Sequence, residues 1–217
     1  MNSRELPWMI LKLEQAVKTW QLPAVSQVAQ EQDPFLILIS TLLSLRTKDE
    51  VTNTASLRLF DVARTPKDIL HLSPGQIEKL IYPVGFYKTK ARTILGVCKV
   101  LLERYAGKVP DSLDELLTFK GVGRKTANLV ITLGFGKHGI CVDTHVHRIS
   151  NRLGLVRTKT PEQTEFALRK ILPKRYWIRY NDLLVSYGQN LCRPISPFCS
   201  RCVIRKVCGR VGVSTSR

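Results

Sequence analysis

The apolar positions of this chain recur every three or four residues, which is the spacing of one face of an α-helix. Phe166, Ala167 and Ile171 follow this pattern, and further apolar residues follow Thr126. Alternating runs joined by Asn-Gly or Asp-Gly turns, which are typical of strand hairpins, do not occur in the sequence. The pattern therefore predicts an all-α protein of about ten helices joined by short loops.

Three segments carry the signature of a helix start. Each has a hydroxyl residue followed three positions later by Glu or Gln, so that the two side chains cap each other's backbone N–H groups. These segments are 73–76 (SPGQ), 112–115 (SLDE) and 160–163 (TPEQ). The glycine-rich segment 134–139 has the opposite effect, and it interrupts the helical pattern.

The chain carries a large excess of positive charge. Its 217 residues include 34 Lys and Arg against 17 Asp and Glu, a net charge of +17. Residues 137–217 hold 16 of the basic residues and only four of the acidic ones, so this part alone carries +12. An uncompensated excess favours a polyanionic partner, most simply a nucleic acid, because each neutralised phosphate releases counterions. Since the excess begins at the glycine-rich segment, we expect a domain boundary near residue 137.

The longest uncharged apolar stretch, 34–45, is too short to cross a bilayer as a helix of about 20 residues. The first 15 residues carry charges where a secretory signal would need an apolar core, so we expect no such signal. Together these features predict an intracellular protein with reduced thiols.

Four cysteines lie close together near the end of the chain, in the order Cys192-x6-Cys199-x2-Cys202-x5-Cys208. Most structural zinc sites use two short Cys-x2-Cys pairs. Uneven runs suit an iron–sulfur centre, because four thiolates must then wrap around a group larger than one ion. We favour iron–sulfur, with zinc and redox or disulfide cysteines as alternatives. We expect Cys98 and Cys141 to be small buried apolar residues.

The segment 113–135 predicts two helices joined by a tight turn, with the second helix starting near Arg124. Two glycines in the turn let a phosphate approach the backbone, and the N-terminus of the next helix favours an anion there. The alternative is a turn that joins two helices for packing alone. The residues predicted to contact phosphate are Lys120, Gly121, Val122, Gly123, Arg124 and Thr126.

This segment resembles the helix-hairpin-helix of the endonuclease III family of DNA base-excision glycosylases. The resemblance runs from about residue 36 to 208 and includes the LLS stretch at 42–44, the VDTHVHR stretch at 142–148 and the cysteine spacing. It implies a six-helix barrel domain at 27–137 with the hairpin at 113–135. It also implies a second domain, formed by 1–26 and 138–217, that holds a [4Fe-4S] cluster on Cys192, Cys199, Cys202 and Cys208. DNA would bind in the cleft between the two domains.

The resemblance also implies the catalytic residues. Lys125 stands at the position of the family's nucleophile; the alternative is an exposed lysine that contacts phosphate. Asp143 matches the catalytic aspartate, and it is also a good N-cap for a helix that begins at Thr144. We expect His145 to order the site or contact DNA.

The sequence departs from the family pattern at two loops that separate the bases of the duplex. Arg46 replaces a usual glutamine, and Phe86 replaces a leucine-like wedge. A guanidinium hydrogen-bonds well to an orphaned guanine, so we expect a bias toward damaged pyrimidines opposite guanine. Arg193 is the only basic residue in the first cysteine loop and is a candidate phosphate contact.

The function implied is a bifunctional repair enzyme. It would remove oxidised or otherwise damaged pyrimidines and cut the abasic strand by β-elimination through a lysine Schiff base. The partner is then double-stranded DNA with such lesions or abasic sites, bound by a monomer in the cytoplasm or nucleoid of a prokaryote. The alternatives are a mismatch glycosylase for thymine, uracil or adenine, in which the nucleophile position usually holds Tyr or Ser, and a non-catalytic DNA-binding module.

Overall fold

The computed structural model describes residues 5–217, and within this range the chain is helical and has no strand. The α-helices are α1 (Leu6–Val17), α2 (Ala24–Val28), α3 (Pro34–Ser44), α4 (Asp49–Phe60), α5 (Pro66–Leu70), α6 (Pro74–Ile81), α7 (Tyr87–Tyr105), α8 (Leu113–Leu117), α9 (Arg124–Leu129), α10 (Thr144–Leu153), α11 (Pro161–Ile171) and α12 (Trp177–Asn190). The all-α prediction is confirmed.

The chain groups into two compact units, one formed by Ala24–Gly139 and the other by the residues up to Pro23 together with Ile140–Arg217. The domain limits predicted from the sequence, 27–137 for a barrel and 1–26 with 138–217 for a cluster domain, stay a prediction. Residues 1–4 of that prediction lie outside the described residues.

Helix α3 lies at the centre of the 24–139 unit, where it packs against α2, α4, α7 and α9. It is the apolar stretch that stood out in the sequence, and residues 35–43 are all buried. A helix that is apolar all round is stable only when neighbours cover every face. Its start is well defined, because the Asp33 carboxylate accepts hydrogen bonds from the N–H groups of Phe35 and Leu36, and Pro34 occupies the first helical position.

The other unit has its core between α1, α10 and α12. Met9, Ile10 and Leu13 of α1 belong to one buried cluster with Val146 and Tyr180. The N-terminal helix therefore belongs to the same core as residues more than 120 positions later in the chain.

The predicted helix starts are confirmed in place, and their chemistry is confirmed in part. At Ser73 both halves of the capping box form. At Ser112 and Thr160 only one half of the capping box forms. The hydroxyl of the capping residue accepts a hydrogen bond from the third helical N–H group. A second full box lies at Thr65 with Asp68, and the pattern of Glu or Gln three positions after the cap does not include it.

Among residues 5–217, no helix has both the length and the apolar composition that crossing a membrane requires.

Candidate active site

The predicted hairpin forms from α8, the turn 118–123 and α9. Its turn is anchored by buried Phe119 and Val122, and the Val122 N–H donates to the Phe119 carbonyl at 3.0 Å. Gly121 has φ +88°, and a Cβ built there would lie 2.5 Å from Cγ2 of Thr93. Gly123 differs, because its φ is −97° and a Cβ built there meets no atom within 4 Å. The first glycine is thus required by the fold, and the second leaves open space beside the start of α9.

The side chains predicted to contact phosphate fall into two groups. Lys120 is exposed, and Arg124 and Lys125 are half-buried at the start of α9. Val122 and Thr126 are buried in the unit. A DNA contact from Thr126 would therefore use its backbone N–H group in the first turn of α9 and not its side chain, whereas the Val122 N–H is already bonded within the turn.

A second amine in the same unit interacts with Lys125. Lys90 lies in the first turn of α7, and burial lowers its pKa to about 8, with the positive charge of Lys125 as the second cause. The pKa of this amine is thus lowered mainly by desolvation, and the Lys125 charge contributes to the shift.

Asp143 caps α10, as the sequence predicted. Its Oδ1 accepts from the N–H groups of His145 and Val146, both at 2.8 Å. These two bonds fix the carboxyl group and leave its Oδ2 to other interactions.

The His145 ring is held by Arg148. The Arg148 Nη2 lies 3.1 Å from His145 Nδ1, and because a guanidinium only donates, Nδ1 is the acceptor. The same guanidinium donates to the Cys192 carbonyl at 2.8 Å. A Cβ on Gly188 would lie 2.3 Å from His145 Nδ1, so only glycine allows this close approach of α12.

Arg46 and Phe86 lie side by side in the 24–139 unit. The Arg46 guanidinium carbon is 5.5 Å from the centre of the Phe86 ring. Both are non-glycine residues with positive φ, 53° and 59°, and the Phe86 residue is 62% exposed. The two loops that the sequence singled out separately thus present one basic and one aromatic side chain at a shared surface.

All four predicted metal ligands line one cavity, which has about 330 Å³ of unfilled space including its mouth. Within residues 5–217, however, no three His, Cys, Asp or Glu side chains are close enough together to hold a single metal ion. None of the six cysteines forms a disulfide. Cys98 and Cys141 are buried, as predicted, and burial raises the pKa of Cys98 to about 12.

Two hydrogen-bond donors point at sulfur atoms of this cavity. Tyr187 donates through its hydroxyl to the Cys202 Sγ at 3.1 Å, and Arg152 Nη1 donates to the Cys192 Sγ at 3.5 Å. Donors of this kind stabilise thiolates that act as ligands. The donor set therefore fits a group that binds four thiolates.

Arg193 lies exposed on the loop that follows the first of these cysteines. Its guanidinium carbon is 5.3 Å from the centre of the Phe198 ring, and the guanidinium carbons of Arg201 and Arg217 are 5.7 and 4.2 Å from the same ring. Arg152 fixes the backbone of this loop, because its guanidinium donates to the carbonyl oxygens of Arg193 and Pro194 at 2.7 and 2.6 Å.

Comparison with known proteins decides the family. Residues 39–174 match the model of the HhH-GPD superfamily base excision DNA repair protein. The chain is also 50% identical over 179 residues to Endonuclease III of Thermotoga maritima, which covers 82% of this chain and 84% of that protein. The chain belongs to the endonuclease III family. The resemblance inferred from the sequence is confirmed.

Solved structures of endonuclease III share the fold over nearly the whole chain. A non-covalent Endonuclease III–DNA complex superposes with a TM-score of 0.86 at 33% identity, covering 96% of this chain and 95% of that one. A trapped Endonuclease III–DNA covalent intermediate gives 0.84 at 32% identity, covering 96% of both chains. The expected class, an all-α endonuclease III protein of base excision repair, is thus confirmed.

Several residues around the endonuclease III site were not found from the sequence. Lys90, Tyr187 and Arg152 all act on groups that are remote along the chain, and nothing local marks them. Gly188 had no turn signal either, since it lies inside α12. The available sign was a glycine in the interior of a predicted helix. Such a glycine lowers helix stability, so it is expected there only when close packing requires it.

Proposed function

We propose that Lys125 and Asp143 carry the chemistry of this base-excision DNA glycosylase and AP lyase, and that its substrates are damaged pyrimidines in double-stranded DNA. One observation supports the role of Lys125 most directly. It is the amine at the second position of α9, the helix that follows the hairpin turn, in a chain whose family relative has been trapped in covalent linkage to DNA.

The chemistry follows from one neutral amine. The Lys125 Nζ attacks C1′ of the damaged nucleotide, the bond from C1′ to the base breaks, and the base leaves with a proton. Opening of the sugar ring gives an iminium between C1′ and Nζ. The iminium acidifies the C2′ proton; its removal breaks the C3′–O3′ bond and cuts the strand on the 3′ side. Water then hydrolyses the imine and returns the lysine.

The Asp143 carboxylate supports two of these steps. Its negative charge stabilises the positive charge that develops on the sugar while the base leaves. It also accepts a proton, either from the attacking amine or from C2′. The two backbone hydrogen bonds to its Oδ1 keep the group in place for both tasks.

The rest of the site binds and opens the duplex. The glycine turn and the start of α9 hold the phosphate backbone, with Lys120 and Arg124 supplying charge. Arg46 and Phe86 enter the duplex and fill the place of the extruded base, since an enzyme of this kind must take its target out of the stack.

We further propose that Cys192, Cys199, Cys202 and Cys208 hold a [4Fe-4S] cluster. The cavity that all four line and the two hydrogen bonds donated to its sulfur atoms support this assignment. Held by these four residues, the cluster would supply structure, because its ligands lie in the loops that carry Arg193 and Arg201.

The test is single-turnover cleavage of a duplex with one oxidised thymine, in which base release and strand cleavage are measured separately. Lys125→Gln should lose both activities by at least about a thousandfold, because both depend on the same amine. Lys99→Gln, an exposed lysine of α7, is the control and should match the wild type. Base release by the wild type without strand cleavage would contradict the proposal and favour a monofunctional glycosylase.

A further inference from the structure

Lys90 is a buried lysine that binds main-chain carbonyl groups instead of an acidic side chain. The residue is 8% exposed, and its Nζ donates to the carbonyl oxygens of Leu43 and Leu45 at 2.7 and 2.5 Å. A third bond goes to the Thr47 hydroxyl at 3.1 Å. An ammonium has three donors, so these acceptors satisfy all of them.

The acceptors lie at the end of α3 and in the loop that follows it. The last carbonyl groups of a helix lack partners within the helix and carry its negative partial charge. The Lys90 ammonium supplies both the missing donors and the opposite charge. Through this contact the first turn of α7 is fixed to the loop that carries Arg46.

Gly85 makes a second link between the same two loops. Its N–H donates to the Thr47 hydroxyl at 3.1 Å, and a Cβ built on it would lie 2.6 Å from the Arg46 carbonyl oxygen. The Thr47 hydroxyl also donates to the Leu45 carbonyl at 3.3 Å. It therefore uses its one proton and both lone pairs, and its three bonds join the loop after α3 to Gly85 and to the first turn of α7.

These links explain a costly backbone geometry. Arg46 and Phe86 both have positive φ, which a residue with a side chain keeps only when its surroundings enforce it. Lys90 and Thr47 act on the segment just before and just after Arg46, and Gly85 directly precedes Phe86. The Arg46 guanidinium carbon is thus held 5.5 Å from the centre of the Phe86 ring by one buried residue, Lys90, and two half-buried ones, Thr47 and Gly85.

We propose that Lys90, Thr47 and Gly85 are positioning residues that hold Arg46 and Phe86 as one preformed wedge for separating a damaged base from its partner. This inference rests on the proposed function, in which those two side chains enter the duplex. Lys90 acts through the loops and does not itself touch DNA.

The first test compares two substrates. Lys90→Met keeps the length and the apolar stem of the side chain and removes its donors. We expect excision of an oxidised thymine from duplex DNA to fall by about tenfold to a hundredfold, the effect of a small misplacement. Cleavage of an abasic site in single-stranded DNA should change little, because no base pair must be opened there. Lys99→Met is the matched control on the same helix.

The hydroxyl of Thr47 gives an independent pair of variants. Thr47→Ser keeps the hydroxyl and should retain duplex excision, whereas Thr47→Val keeps the shape, removes the hydroxyl and should reproduce the Lys90→Met defect. In an Arg46→Ala/Phe86→Ala background, Lys90→Met should add nothing further, because its effect passes through the wedge.

The outcomes separate the two proposals. If Lys90→Met loses activity equally on duplex and single-stranded substrates, or adds its full effect in the wedge-free background, Lys90 has a general structural role and the inference is wrong. If the wild type releases no base from the lesion duplex and cuts no abasic site in duplex DNA, the proposed function itself is wrong.

Discussion

At the scale of single residues, Asp143 combines two roles that substitution can separate. Asn is about as good an N-cap as Asp, whereas Ala does not cap. Asp143→Asn should therefore melt near the wild type but lose excision by about a hundredfold or more, since the negative charge is gone. Asp143→Ala should lose activity and also about 1 kcal/mol of stability. Thermal melting with single-turnover excision checks both, and an active Asp143→Asn would show that capping is its only role.

A second prediction at this scale concerns Arg46 and the base that lies opposite the excised lesion. Its guanidinium has donors for the O6 and N7 of an orphaned guanine, and glutamine presents a different set. The ratio of excision rates for one lesion opposite guanine and opposite adenine should fall in Arg46→Gln. An unchanged ratio in this variant would remove Arg46 from the account of specificity.

Single residues also mark the limit of what the sequence predicts. The Asp143 cap was predictable because the carboxylate and its N–H partners lie within three positions. The role of Lys90 was not, because its acceptors lie 43 to 47 positions earlier and two of them are main-chain atoms. A pattern of residue types does not show which carbonyl group a folded chain leaves without a donor.

At the scale of elements, the two glycines of the hairpin turn should respond differently to the same substitution. Gly121→Ala puts a side chain at positive φ and against Thr93, so it should lower stability by at least about 1 kcal/mol. Gly123→Ala meets open space and should fold normally, but its methyl group should weaken binding to undamaged duplex DNA by obstructing the phosphate. Melting and DNA titration of both variants check this, and equal affinity of Gly123→Ala and the wild type would contradict the phosphate site.

Helix α11 shows why an element is easier to predict than the face it buries. Its start at Thr160 follows from local chemistry and was predicted. The apolar residues that revealed it, Phe166 and Ile171, are 47% and 46% exposed, while Glu165 is buried and bonded to Arg169. Ion pairing allows a carboxylate to be buried, and periodicity alone does not register such pairs.

At the scale of the whole molecule, charge and chain topology carry different amounts of information. The net charge of +12 on residues 137–217 predicted a nucleic-acid partner without any knowledge of the fold. The packing of α1 against α10 and α12 has no local signal in the sequence, because contacts between segments so far apart in the chain depend on the whole topology. Only the resemblance to the endonuclease III family implied that the two ends of the chain share a domain.

Borohydride reduction in the presence of an abasic duplex tests the central claim most directly, because it converts the imine of a lysine Schiff base into a stable amine. We expect the wild type to give a covalent adduct with DNA, mapped to Lys125 by peptide mass, and Lys99→Gln to give the same adduct. Lys125→Gln should give none. A wild type that forms no adduct, or a Lys125→Gln variant that still does, would contradict the account.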